Sequence, residues 1–204
     1  MEKKHKVLVY VGRIPNSIEF SEIYPKSRSD EIAKCKNLRV KREKYFVWEL
    51  LRRGAEEGFG MSLEELAPRK NENGKWVSDK LCFSITHSYP VAAVAMSLET
   101  VGIDAESVDR YFEGMEKRIL TDREVEKVTR LSGEALERYT LEKWTQKESI
   151  FKTTDLESFL PKTIETEEYP TQTVSFSIDG EEFVLSVTAK NIDKIEYFYD
   201  FEKG

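Results

Sequence analysis

Two carboxylates stand two residues apart in the segment VGIDAE, residues 101–106. The segment is apolar and partly β-branched, so it predicts a strand on which Asp104 and Glu106 share one face, while Ile103 and Ala105 share the other. Neighbouring carboxylates repel each other unless they face water or have a divalent cation between them. The pair therefore indicates either a solvated strand face or part of a metal site.

A second segment with chemical potential is WTQKESIFK, residues 144–152. On a helix, Trp144, Glu148 and Lys152 recur every four residues and share one face, with Lys147 beside them. One interpretation is an anchoring tryptophan with a surface Glu–Lys pair. The other is a third carboxylate and two amines directed at a phosphate, and the segment alone does not decide between them.

A third segment, THSYP at residues 86–90, separates two short apolar runs and predicts the tip of a hairpin. Thr86, His87 and Ser88 would offer an imidazole, two hydroxyls and free backbone N–H groups, which together suit a phosphate. A lone histidine with only a structural role is the alternative.

The surrounding sequence predicts the elements that must position these residues. Between residues 29 and 53 the apolar spacing predicts one or two helices, and further helices are expected from Thr121, whose TDRE has capping-box spacing, and over residues 134–153. Turns are expected at residues 71–75 and 179–180. Strands are expected at residues 6–12, 81–86, 91–98, 100–105, 173–178, 182–189 and 192–198.

The order strand, helices, hairpin thus occurs twice, in residues 1–98 and 99–204. We expect an α+β fold of two pseudo-symmetric halves with a site at their interface.

Composition and charge exclude several classes. The 204 residues are 39% apolar and 34% charged, with few Gly and Pro, which excludes collagen-like and disordered chains. The net charge of −6 argues against a nucleic-acid coat, although residues 26–53 hold ten Lys/Arg against four acids. This cationic stretch is either a solvated helix face or an anion-docking surface.

Other motifs are missing from the sequence. It contains no dinucleotide-binding glycine fingerprint, P-loop, hydrolase elbow or HExxH zinc motif. No apolar run is long enough for an export signal or a membrane span, and two widely spaced cysteines do not suggest a disulfide framework. We expect a cytoplasmic protein.

Taken in order, THS, GIDAE, an acid-containing capped helix and WTQKESIFK resemble the 4′-phosphopantetheinyl transferase family, over residues 74–152. The chain is similar to the longer, monomeric Sfp-type branch, in which two similar halves face each other. The WxxKE[AS]xxK element matches fully, whereas Ala105 stands where the family usually has a larger apolar residue. The resemblance implies Mg²⁺-dependent transfer of phosphopantetheine from coenzyme A to a serine of an apo acyl, peptidyl or aryl carrier protein. The other product would be adenosine 3′,5′-bisphosphate.

The resemblance also implies roles for single residues. Asp104, Glu106 and Glu148 would hold Mg²⁺, and the implied catalytic residues are Asp104, His87, Glu148 and Lys152. Coenzyme-binding residues would be Lys75, Thr86, His87, Ser88, Lys147 and Lys152, with Lys34, Arg42 and Lys44 as candidates for its 3′-phosphate. Glu124 stands where the family often has an acid, but its capping-box position explains it equally well.

Two other functions remain open. The same acids could serve a metal-dependent phosphoesterase or nuclease, although a nuclease should present a basic track along its surface. The other is a protein that binds coenzyme A without catalysis. The presence of all three acids and both lysines argues against that function. The partners expected are a carrier protein and coenzyme A, with neither nucleic acid nor membrane. Which carrier, in fatty-acid, polyketide or nonribosomal-peptide biosynthesis, cannot be read from these residues.

Overall fold

The computed structural model describes residues 6–154, 156–190 and 194–201. Its strands are β1 (Lys6–Arg13), β2 (Arg69–Lys70), β3 (Trp76–Val77), β4 (Cys82–Ser88), β5 (Val91–Ser97), β6 (Val101–Ser107), β7 (Thr171–Ile178), β8 (Glu181–Ala189) and β9 (Lys194–Asp200). Its helices are α1 (Lys26–Ala33), α2 (Leu38–Phe59), α3 (Leu63–Leu66), α4 (Met115–Ile119), α5 (Asp122–Val128) and α6 (Glu134–Lys152). Within these residues, no helix combines the length and the apolar composition that crossing a bilayer requires.

Two main sheets share one connection pattern. The first sheet has the strand order β4-β5-β1-β9. Strand β1 precedes helices α1 and α2, and it pairs antiparallel with β5, the second strand of the β4–β5 hairpin that follows those helices. The second sheet, with strand order β6-β8-β7, has the same pattern: β6 pairs antiparallel with β8, the second strand of the β7–β8 hairpin. Strand β9 departs from it, because it leaves the second half of the chain and joins β1 in parallel. The sheet of the first half is therefore completed by a strand from the second.

The side-chain alternation of the strands builds a layered core. Val7, Val9 and Val11 of β1 pack with apolar residues of the second sheet, whereas Leu8 and Tyr10 lie in the cluster that includes α2. Helix α2 contacts β1 and β5, and α6 contacts β6 and β8. The layers therefore run from α2 through the two sheets to α6.

Most predicted elements are present with small shifts of their ends. The capping box predicted at residues 121–124 is formed, because the Thr121 hydroxyl accepts from the Glu124 N–H and the Glu124 carboxylate accepts from the Thr121 N–H. Ile103 and Ala105 lie between the sheets, as the alternation in β6 predicts. Helix α2 continues past Gly54 to Phe59. Residues 192 and 193, the start of the last predicted strand, lie outside the described residues.

Helices α1 and α2 are joined by ion pairs around Glu31. Lys44 Nζ donates to Glu31 Oε1 at 2.8 Å, Arg28 Nη1 lies 3.3 Å from the same oxygen, and Lys70 Nζ lies 3.1 Å from Oε2. Burial alone would raise the pKa of Glu31, but hydrogen bonding to the two lysines and the charge of Arg28 lower it to about 2. The cluster therefore fastens α1 and the β2–β3 hairpin to α2.

Acid should weaken the fold through Glu31. Its pKa is about 2 in the folded protein against an ordinary value of 4.5, so the stabilisation is complete above pH 4.5 and is lost as the pH falls towards 2. Because Glu31 and its lysine partners are partly exposed, solvent screens the interaction, and the complete effect is about 1 kcal/mol. We expect the difference in the free energy of unfolding between the wild type and Glu31→Gln, measured by urea titration, to shrink from about pH 6 to about pH 3. A difference that stays constant with pH would contradict this.

Candidate functional site

The two carboxylates of β6 contact hydroxyls of β4. Thr86 Oγ1 donates to Asp104 Oδ1 at 2.9 Å, and Ser88 Oγ donates to Glu106 Oε2 at 2.7 Å. Asp104 is buried, and Glu106 is half-buried. Thr86 and Ser88 are two positions apart on β4, and Asp104 and Glu106 are two positions apart on β6. Each hydroxyl therefore meets one carboxylate across the boundary between the two sheets. The predicted shared face of Asp104 and Glu106 is confirmed.

Helix α6 adds its chemical residues to the same place. Lys152 Nζ donates to Asp104 Oδ1 at 2.8 Å and to the Ile103 carbonyl at 2.9 Å. The helix face predicted from the spacing of Trp144, Glu148 and Lys152 is confirmed, since all three line one cavity of about 290 Å³. The cavity is lined by Ile85, Thr86, His87, Asp104, Glu106, Trp144, Glu148 and Lys152, and thus by both halves of the chain.

Gly102 allows α6 to come this close to β6. A Cβ atom at this position would lie 1.9 Å from the backbone oxygen of Ser149 and 2.9 Å from Thr153 Cγ2. A backbone oxygen inside a helix cannot turn away as a side chain can, so only glycine fits without moving the helix. The position of Glu148 and Lys152 above the acids of β6 therefore depends on this glycine.

Replacing Gly102 with alanine should destabilise the protein by about 3 kcal/mol, because α6 must move off β6 to admit the methyl group. Urea unfolding measures this change. Gly58→Ala is the matched control: its Cβ would meet a terminal methyl of the Leu8 side chain instead of a backbone atom, and alanine is favoured over glycine in a helix. Equal stability of the two variants would contradict the close approach of α6 and β6.

The cavity holds more negative charge than its lysine neutralises. The pKa of Glu148 is raised to about 7, by burial first and then by the charges of Asp104 and Glu106, against the opposing effect of Lys152. Burial also raises the pKa of Glu106, although the hydrogen bond from Ser88 opposes this. Carboxylates that raise each other's pKa in this way are stabilised by a cation. The electrostatics therefore favour a positively charged ligand beside the acids.

The donor set fits a hard divalent cation in kind. Such cations bind carboxylate oxygens, and Asp104 Oδ2 is buried without a hydrogen-bond partner. Among the described residues, no group of three or more His, Cys, Asp or Glu side chains is already gathered closely enough to hold a metal ion. The other oxygen of Asp104, Oδ1, accepts a hydrogen bond from the Lys152 amine.

Strand β4 provides the remaining polar residues of the cavity, and here the sequence prediction is wrong. Thr86, His87 and Ser88 are paired with β5 inside the strand, and only Tyr89 and Pro90 form the turn. A strand puts their side chains, rather than a set of free backbone N–H groups, at the site. Burial lowers the pKa of the His87 imidazole, and Lys152 adds to this effect against an opposing contribution from Glu43.

A larger cavity of about 610 Å³ adjoins the first, with Ile85 and Lys152 lining both. Lys75 lies on its wall, in the predicted turn between β2 and β3, and its Nζ donates to the Lys152 carbonyl at the end of α6. Aromatic and aliphatic side chains form much of the remaining surface, namely Trp76, Phe83, Phe151 and Leu156. The two cavities together could accept an anionic group with an attached organic portion.

Lys147 is turned away from both cavities. Its side chain is fully buried, and Nζ contacts Glu124 Oε2 at 2.6 Å and the carbonyls of Ile119 and Pro161, each at 2.9 Å. The expected contact of Lys147 with a pyrophosphate is therefore not supported, because the amine is already bonded within the protein interior. Glu124 serves both the capping box and this ion pair.

The three candidates for a 3′-phosphate contact are absent from the linings of both cavities. Lys34 is exposed at the end of α1, Arg42 is half-buried on α2, and Lys44 is paired with Glu31. Much of the cationic stretch is neutralised in the same way by neighbouring acids. The pairs are Arg39–Glu43, Arg52–Glu49, Arg52–Glu56, Arg53–Glu57 and Arg53–Asp200.

The sequence interpretation did not include two residues behind His87. Glu43 of α2 is buried, with Oε2 3.6 Å from His87 Nδ1. Arg28 is buried over the ring of Trp48, 4.8 Å from its centroid, and lowers the pKa of His87. Glu43 is the one acid in the basic run RVKREK, residues 39–44, and that is the signal that could have identified it.

Comparison with known proteins supports one chemistry for this site. Residues 100–196 match the family model described as the 4′-phosphopantetheinyl transferase superfamily. The matched segment contains β6 and α6, and so includes Asp104, Glu106, Glu148 and Lys152. No curated protein matches the chain. The match supports a transferase of phosphopantetheine in general terms.

Proposed function

We propose that this protein transfers the 4′-phosphopantetheine group of coenzyme A to a serine of an apo carrier protein in a Mg²⁺-dependent reaction, releasing adenosine 3′,5′-bisphosphate. One observation carries the proposal: three carboxylates and a lysine converge on a cavity between β4 and β6, within a segment that matches the superfamily. The repeated strand pattern supports a fold of two pseudo-symmetric halves with the active site between them.

The three acids would hold the magnesium ion. Asp104 and Glu106 come from one strand and Glu148 from the facing helix, and Asp104 Oδ2 has no other partner among the described residues. When bound, Mg²⁺ would neutralise charge on the pyrophosphate oxygens as the leaving group departs. Lys152 would remain beside the phosphate as a fixed positive charge, since its backbone carbonyl and amine are held by Lys75 and by β6.

The reaction moves one proton and one phosphoryl linkage. The serine oxygen forms a bond to the β-phosphorus of coenzyme A, and the bond from that phosphorus to the bridging oxygen breaks, so that the bisphosphate leaves. The serine hydroxyl proton must pass to a base. Glu148 is the candidate, because among the described side chains of the cavity it is a carboxylate with neither an ion pair nor a hydrogen bond.

The coenzyme would lie across both cavities. Thr86, His87 and Ser88 of β4 border the acids, and Lys75 borders the larger cavity, so these four residues are proposed to meet the pyrophosphate. The apolar wall of the larger cavity suits the organic part of the coenzyme. A contact of Lys34, Arg42 or Lys44 with the 3′-phosphate remains a prediction.

The test is incubation of the protein with coenzyme A, Mg²⁺ and an apo carrier protein, followed by mass spectrometry of the carrier. A gain of one phosphopantetheine group is expected, and a metal chelator should abolish it. Fatty-acid, polyketide and nonribosomal-peptide carriers are tested in parallel. No gain on any carrier would refute the proposal, and release of adenosine 3′,5′-bisphosphate without a carrier would indicate a phosphoesterase instead.

A further inference from the structure

A buried carboxylate on α2 faces the histidine of the cavity. The Glu43 side chain is only 8% exposed, although ionised carboxylates are seldom buried unless they are paired. Its Oε1 accepts from Arg39 Nε at 3.1 Å, and its Oε2 lies 3.6 Å from His87 Nδ1. The two oxygens of Glu43 therefore have different partners, one of them a residue of the candidate site.

His87 lies between Glu43 and the cavity. Strand β4 forms the edge of its sheet, and His87 lines the cavity that contains Asp104 and Glu148. Because the two ring nitrogens are on opposite sides of the imidazole, a ring with Nδ1 towards Glu43 leaves Nε2 for the cavity. A gap of 3.6 Å is longer than a hydrogen bond, and such contacts often tighten when a ligand binds.

We propose that Glu43 is a positioning residue, which holds the proton-bearing Nδ1 of His87 and thereby presents Nε2 to the ligand. In the neutral ring, Nε2 is then the unprotonated nitrogen. When Nε2 also takes a proton, the ring donates to a phosphate oxygen, and the carboxylate of Glu43 balances its charge. The part of this proposal that concerns phosphate rests on the proposed function, whereas the ring orientation does not.

The charges around His87 fit this arrangement. Arg28 from α1 and Lys152 from α6 disfavour a positive imidazole, and Glu43 from α2 favours it. The acids Asp104, Glu106 and Glu148 line the same cavity. Among these groups, Glu43 is the acid within ion-pair distance of the ring. It can therefore fix which ring nitrogen carries the proton in the neutral form.

The test is ¹⁵N–¹H NMR of the histidine ring nitrogens. The chain has two histidines, so in a His5→Asn background all histidine ring signals come from His87. We expect the neutral ring to carry its proton on Nδ1 in the wild type. Glu43→Leu should convert it to the Nε2–H form, which free histidine prefers, and should lower kcat for carrier modification about tenfold. Glu43→Gln, which keeps an acceptor oxygen, should retain the Nδ1–H form with a lower His87 pKa.

Glu49→Leu is the matched control. Glu49 also lies on α2 and pairs with an arginine, Arg52, at 3.1 Å, but the acid that acts on His87 is Glu43, so the His87 signals and kcat should stay as in the wild type. An Nε2–H ring in the wild type, or an Nδ1–H ring that persists in Glu43→Leu, would overturn the proposal. If Glu43→Leu does not fold, the wild-type tautomer decides, since Nδ1–H supports the proposal and Nε2–H overturns it. If the wild type transfers nothing, the proposed function fails, and the NMR comparison still decides the role of Glu43.

Discussion

Asp104→Asn should lower the rate of phosphopantetheine transfer about a thousandfold, which corresponds to roughly 4 kcal/mol of lost transition-state stabilisation. The asparagine has nearly the same shape and can still accept the hydrogen bond from Thr86. It removes the negative charge that pairs with Lys152 at 2.8 Å and that is proposed to hold the cation. The loss is measured as carrier mass gain per unit time at saturating coenzyme A and Mg²⁺.

The control for this variant is Asp109→Asn. Asp109 is exposed and follows β6 in the turn Val108–Arg110, so the change removes an equal charge nearby without touching the cavity lined by Asp104. Its activity should match the wild type. An Asp104→Asn variant with wild-type activity and unchanged dependence on Mg²⁺ would refute the metal-binding role of Asp104. Thermal unfolding of both variants excludes a general loss of structure.

Lys147→Met should have the largest effect on stability, about 3–5 kcal/mol, because it leaves the buried Glu124 carboxylate without its counter-charge. Burial lowers the pKa of Lys147, and the hydrogen bond and charge of Glu124 oppose this. The substitution also leaves the carbonyls of Ile119 and Pro161 without their donor. Urea unfolding at neutral pH measures the change.

Two further variants separate the causes of this loss. In Lys147→Met with Glu124→Gln, no buried charge remains, so the double variant should recover part of the lost stability. Lys162→Met changes an exposed lysine of the neighbouring 3₁₀ turn and should leave stability nearly unchanged. If Lys147→Met were as stable as the wild type but bound coenzyme A more weakly, the phosphate contact expected from the sequence would be right after all.

The face of β6 and the face of α6 were both predictable, since a period of two or of about four residues determines which side chains share a side. The orientation of Lys147 was not. It directly precedes Glu148, and one residue turns a helix by about 100°, so Lys147 lies at the border of the helix face that carries Glu148. Whether a side chain at that border reaches the cavity or the protein interior depends on which other segments pack against the helix. The groups that pack against Lys147 are Glu124 and the 3₁₀ turn at Pro161, and both come from other elements of the chain.

The placement of His87 and the ion pairs of α2 were predictable only in part. Residues 86–90 contain the polar residues typical of a turn, but the ladder with β5 continues through Ser88 and leaves a turn of two residues. The i,i+4 spacing of Arg39 and Glu43 could have been read as an ion pair from the sequence. The pairing of Lys44 with Glu31 requires two helices to meet, and no periodicity contains that information.

The parallel pairing of β1 with β9 also dictates an order of assembly. Lys6 of β1 pairs with Lys194 of β9, so synthesis must reach β9 before β1 gains its second neighbour. Until then one edge of an apolar strand exposes unpaired N–H and C=O groups, which is the kind of edge that recruits other chains. Strand β1 is thus fully paired only after β9 has been made, and aggregation during synthesis should depend on how quickly β9 arrives.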